Sequence, residues 1–166
     1  MPESTARSNP VNPQLQAFRQ GWRRLSPLPL GKWLFSRLVG WMVPYSGSIK
    51  PYVEILSPGY GRISIRDRRR VRNHLRSVHA VALMNLGELT TGLTMAFGLP
   101  DDARAIVTRL AIEFPKKARG PITAECRCEV PESNATRDLT TESILTDATG
   151  DVVARVSAVW RVGPNQ

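Results

Sequence analysis

Cysteine is nearly absent: the 166 residues hold two, Cys126 and Cys128. They are too close in sequence to staple a fold, and C-x-C is not a zinc-finger spacing. If residues 122–130 form a strand, both fall on one face as small buried or half-buried groups of a reduced compartment. No apolar run reaches the roughly 18–20 residues that a spanning helix needs. Residues 1–12 are polar and proline-rich and lack the basic and apolar regions of a signal peptide, so a disordered tail and a cytoplasmic location are expected. Helix-turn-helix, RNA-recognition and zinc signatures are missing, and no nucleic-acid partner is expected. Nothing in the sequence asks for a cofactor or a metal.

Acidic residues are scarce in one half only. Residues 1–80 hold 14 Lys and Arg against 3 Asp and Glu, or +11, whereas residues 81–166 hold 9 against 11, or −2. A basic half can face a polyphosphate, an anionic membrane or nucleic acid. With 42% hydrophobic and 22% charged residues the chain is ordinarily globular, with room for one domain and an extra segment.

Leu15, Phe18, Trp22 and Leu25 recur at helical steps, which predicts a helix over 13–25. Ser26-Pro27-Leu28-Pro29 breaks it, and a second helix is expected over 30–42 before Pro44 and Gly47. Strands are expected over 52–56, 62–66, 105–114, 122–130, 139–145 and 152–160. Between the second and third lie a basic loop and a stretch from His79 to about Phe97. That stretch is rich in Ala, Leu and Met, free of proline and apolar nearly all round, so it predicts a buried helix. The order gives an α+β fold, an antiparallel sheet wrapped around one long central helix. The division is a tail over 1–12, a helical extension over 13–46 and the main domain over 47–166.

Within that helix sits a carboxylate, Glu88. Burying a charge is expensive unless it is paired, so it is either tied down in the core or functional. Asn73 lies six residues before His79, and Glu88 nine after it. This segment resembles the active-site segment of hotdog-fold acyl-CoA thioesterases of the phenylacetic-acid-pathway type. There an Asn precedes a His-Gly pair at the helix start and an acidic residue follows. Phe114 and Gly120 resemble that family's aromatic-to-glycine turn. The likeness covers about residues 50–163, and only 73–88 is specific.

The resemblance implies Glu88 as general base or nucleophile, with Asn73 orienting the water or thioester. It implies the Ala80 N–H as the donor that polarises the carbonyl, and His79 and His74 shaping the pocket. Ala80 stands where the family has glycine. The family's Ser or Thr on the next strand falls at Val107 or Thr108. Nine residues at about 100° leave His79 and Glu88 half a turn apart, on opposite sides of one helix. The resemblance implies a homodimer whose two-fold axis brings one chain's helix start to the other's carboxylate. Pairing of dimers into tetramers is left open. A second likeness is to hotdog dehydratases of 3-hydroxyacyl carrier proteins, which would use His74 and Glu88. Their loop is rich in Gly and Pro, and this one has neither. A non-catalytic acyl-CoA-binding hotdog protein is the third alternative.

Arg66, Arg68, Arg69, Arg70, Arg72 and Arg76 lie beside this segment. Arg69, Arg70, Arg72 and Arg76 are the candidates to hold coenzyme A phosphates, or an acidic acyl carrier protein. At least two of the six are expected to pair with the acidic second half. Residues 18–42 combine three Trp, two Phe and five basic residues. They are expected to pack on their own domain, over the open sheet face or an acyl tunnel, or else to lie on a membrane surface.

Overall fold

The helix expected from residue 79 forms over Ala80–Gly98, and the rest of the chain is arranged around it. His79 caps it, and extended Leu99 followed by Pro100 ends it. Its buried side chains include Leu83, Leu86, Leu89 and Met95. Buried Thr90 and Thr94 return their hydroxyls to the carbonyls four residues back, both at 2.7 Å, so neither hydroxyl is stranded in the core.

The computed structural model describes residues 11–165. Three helices come first: α1 (Pro13–Leu25), α2 (Gly31–Met42) and the single turn α3 (Pro44–Gly47). Next come β1 (Tyr52–Ser57) and β2 (Tyr60–Ile65), then the central helix as α4. Strands β3 (Ala103–Glu113), β4 (Ile122–Arg127), β5 (Arg137–Thr146) and β6 (Val152–Pro164) complete the chain. The six strands form one antiparallel sheet in the order β1-β2-β4-β5-β6-β3. The sheet curls over α4, with Ile63, Ile65, Leu145, Val153 and Val156 on its inner face. Helix and sheet touch closely at Gly87, where a Cβ would stand 2.3 Å from a Val156 methyl, so only glycine fits. Chain order sends β3 to the far edge, where it pairs with β6 alone.

The N-terminal helices are part of the same core. Trp22 and Phe35 pack edge to face at 5.1 Å, and the Trp22 indole donates to the Leu56 carbonyl at 2.9 Å. The Ser36 hydroxyl accepts from the buried Val53 N–H at 2.8 Å, which ties α2 to β1. Arg19 pairs with Asp101 at 2.7 Å and donates to the carbonyls of Ala96 and Leu99, closing the end of α4.

The expected tail over 1–12 lies outside the described residues except for its last two. Of these Asn12 is ordered, since its side chain accepts from Leu15 N–H at 3.2 Å and caps α1 ahead of Pro13. The strand expected over 122–130 stops at Arg127, because β2 begins at Tyr60 and offers no residue to pair beyond it. Cys126 is buried and Cys128 half-buried, and both are free thiols.

Candidate active site

The loop before α4 is built by Asn73. Its side-chain oxygen accepts from Leu75 N–H at 2.9 Å, Ser77 N–H at 3.2 Å and the Ser77 hydroxyl at 3.1 Å. This fold-back puts Arg76 in the left-handed region at φ 55° and delivers the chain to the helix start. The Asn73 oxygen is therefore committed to the loop, and its NH2 is what remains for a ligand. His74 stands exposed in the same turn.

At the helix start, His79 Nδ1 accepts from Val81 N–H at 3.1 Å, and the His79 carbonyl accepts from the N–H groups of Ala82 and Leu83. With Nδ1 so engaged, Nε2 is the ring nitrogen left for other groups. Among the described residues nothing takes the Ala80 N–H, the one free donor of this first turn. Asn73 and Ala80 border one small cavity of about 220 Å³, together with Phe114 and Lys117. His79 borders a larger cleft of about 500 Å³ with Arg70, Arg72, Tyr45 and Asn85. His74 borders neither of these two spaces.

Glu88 borders neither space either, as half a turn of helix demands. It is half-buried, and burial pushes its carboxyl above the ordinary value. Among the described residues no side chain or amide bonds or pairs with the carboxylate. One turn on, Gly92 leaves room beside it: a Cβ there would lie 3.8 Å from Glu88 Oε1 and 2.9 Å from the Trp160 ring. Gly92 also lines an apolar cleft of about 500 Å³ with Phe18, Val39, Met42, Leu93 and Trp160. The Trp160 indole N–H is buried with no acceptor.

The bulge in β3 between Val107 and Arg109 separates the two candidates on that strand. Val107 packs inward against the cluster of Met95, Ala158 and Trp160. Thr108 is the extra residue, exposed, with its hydroxyl donating to Val159 O at 3.2 Å.

The arginines divide. Arg72 is tied to Asp67 at 2.6 Å, which holds that carboxyl below its usual value. Arg69, Arg70 and Arg76 are exposed, and Arg66 and Arg68 line a different cleft. The expected pairing of at least two of the six with the acidic second half is not found among the described residues. The nearby acids of that half are taken by others: Glu125 meets Arg62 at 3.5 Å, and Asp147 and Asp151 share Lys116.

A domain family of unknown function, DUF4442, matches residues 31–162. The chain belongs to this family. No curated protein matches its sequence. Among solved structures, a structural-genomics protein is 27% identical, with 89% of this chain and 99% of the other covered at a TM-score of 0.78. A Pseudomonas aeruginosa protein, described as of unknown function and a "probable thioesterase", is 24% identical over 95% of this chain and all of its own, at 0.67. A mutant form of a Staphylococcus aureus thioesterase is 13% identical over 73% of this chain and 99% of its own, at 0.65. The common architecture is the hotdog fold of the thioesterases, as the 73–88 segment led one to expect. Within this DUF4442 chain, sequence reasoning passed over Gly92, Trp160 and Asn85. Gly92 was findable, since it follows Glu88 by four residues on the same helix face. Trp160 and Asn85 gave no signal beyond an apolar strand and an isolated amide.

Proposed function

We propose that the chain hydrolyses acyl thioesters of coenzyme A or an acyl carrier protein, with Glu88 as general base or nucleophile at a site shared between two copies. The observation that carries this is the Glu88 carboxylate, half-buried on an apolar helix, unpartnered among the described residues and next to an apolar cleft. As base, Glu88 takes a proton from water while that water adds to the thioester carbonyl. The oxyanion that forms is met by the free Ala80 N–H, where the helix dipole also favours negative charge. Collapse breaks the carbon–sulfur bond and releases the thiol, which takes up the proton, and the acid.

Ala80 and Glu88 stand eight residues apart on one helix, about 12 Å along its axis and too far to meet at one thioester, so the donor comes from a partner. The unpaired outer edge of β3, eleven residues long, suits antiparallel pairing with its own copy across a two-fold axis. Asn73 positions the loop and offers its NH2 to the thioester. His79 is a positioning residue: by capping Val81 it leaves the Ala80 N–H free. The apolar cleft beyond Gly92 has about three times the roughly 150 Å³ that holds a benzene ring, which suits an acyl chain. Arg69, Arg70 and Arg76 are free to meet phosphates, and Arg72 joins them with part of its charge neutralised.

Inward Val107 favours a second reading, an acyl-thioester-binding protein that does not turn over, because β3 then gives the thioester no polar contact there. The dehydratase reading has less support, with His74 exposed away from both spaces at the helix start. The test is thiol release from acyl-CoA esters of increasing chain length. Release by the wild type, abolished in Glu88→Gln, is expected. Binding of acyl-CoA without release assigns the second reading.

A further inference from the structure

Helix α2 carries apolar side chains on two sides. Its inner stripe, Phe35, Ser36 and Val39, is buried. Its outer stripe is uncovered: Leu30 is 79% exposed, Trp33 55% and Trp41 80%, with Leu34, Leu38 and Met42 between them. These positions follow the three- and four-residue helical step, and an exposed apolar face of this kind marks a contact surface. The sequence left both N-terminal helices open to such a role. The fold narrows it to α2, because Phe18 and Trp22 of α1 are spent on the core.

Charge points to what the surface meets. Residues 4–53 contain no Asp or Glu. At the start of α2, a cleft of about 720 Å³ is lined by Leu30, Trp33, Arg37, Lys50, Arg66 and Arg68, and no carboxylate borders it. Arg37 Nε is buried with no partner. Burial pushes the Arg68 guanidinium below its usual value, and the charges of Arg37, Arg70 and Arg66 push the same way. Four cations around one cleft, without a counter-charge, suit the oxygens of a phosphate. At the other end, exposed Met42 and Val43 line the apolar cleft that reaches Gly92. Twelve residues of helix separate the two ends by about 18 Å.

We propose that the outer face of α2 docks on an anionic phospholipid bilayer. Leu30, Trp33, Leu34, Leu38 and Trp41 enter the interface, and a lipid phosphate sits in the cation cleft. A second copy of the chain fits this face less well, since the face and its cleft carry no acid to meet the cations. The docked orientation sets the mouth of the apolar cleft at the lipid surface. The proposal stands apart from the hydrolysis reading, because docking needs neither Glu88 nor turnover.

Flotation of the full chain with phosphatidylcholine vesicles, and with vesicles containing about 30% phosphatidylglycerol, tests it. Co-flotation with the anionic vesicles and a blue shift of tryptophan emission are expected. Trp33→Ser/Trp41→Ser and Lys50→Glu/Arg66→Glu should each lower the bound fraction roughly tenfold or more, with unchanged melting curves. Three results would overturn the proposal: wild type staying below the anionic vesicles, equal binding to neutral ones, or the tryptophan pair changing oligomeric state without changing lipid binding.

Discussion

Replacing Glu88 by glutamine should make the protein more stable while removing its activity. The carboxyl is displaced upward by burial alone, and no hydrogen bond or ion pair offsets that cost among the described residues. The sign follows from proton binding. As pH rises through the ordinary carboxylate range, the unfolded chain loses its Glu88 proton first and the folded chain keeps it. The folded state thus loses stability as pH rises, in full once pH exceeds the raised folded value, and has no such penalty below the ordinary value of 4.5. Glutamine has the same shape and never ionises. Stabilising substitutions of this kind are worth roughly 0.5–2 kcal/mol, and water reaching the half-buried carboxylate sets the gain at the low end, about 0.5–1. For a chain of this length that is a rise in melting temperature of about 1–4 °C at pH 8. The gap should close as the pH is lowered to about 4. Paired melts of wild type and Glu88→Gln across this range are the assay. A lower melting temperature for Glu88→Gln at pH 8 would refute the reasoning, because it would mean that the carboxylate holds the fold together.

The same displacement should place the acid limb of the kcat/KM profile above the ordinary carboxylate range, with activity rising as Glu88 ionises. Ala80→Pro should lower kcat by about 10²–10³ with an intact helix. Proline is tolerated at the first helical position, and His79 at φ −66°, ψ 141° already has the backbone that precedes it. His79→Ala should cost about 0.5–2 kcal/mol through the lost cap, whereas His79→Asn should restore both melting temperature and turnover. Loss of turnover in His79→Asn despite normal melting would give the imidazole a direct role. Gly87→Ala should destabilise by about 1–3 kcal/mol against Val156, with part recovered in the double variant with Val156→Ala, as chemical denaturation would show.

The central helix was legible because nineteen residues without proline or charge, save one, have few other places to go. The strands were legible from their alternation, and the fold class followed from their order. What the sequence did not reveal has local physical causes. The β3 bulge shifts the alternation by one residue, so no count along the chain could decide whether Val107 or Thr108 faces inward. Helix α2 has two apolar stripes, and periodicity cannot tell which meets the core. That depended on Gly31, where a Cβ would stand 1.7 Å from the Leu25 carbonyl oxygen, and on the Ser36 bond to Val53. Asn73 was visible as a polar residue at a telling distance from His79, but its oxygen is consumed by its own turn. The partnering of the arginines was misjudged because acids of the second half are met by other cations: Glu125 by Arg62, Asp147 and Asp151 by Lys116, Asp101 by Arg19 and Asp138 by Arg161.

The central claim is a site made by two chains, and mixing two inactive variants tests it most directly. Glu88→Gln keeps the Ala80 donor, and Ala80→Pro keeps the carboxylate. In a mixed dimer one of the two sites is then whole. After subunit exchange about half the dimers are mixed, so thiol release should recover to about a quarter of the wild-type rate. No recovery, with mixed dimers present, would place Glu88 and its donor in the same chain and contradict the account.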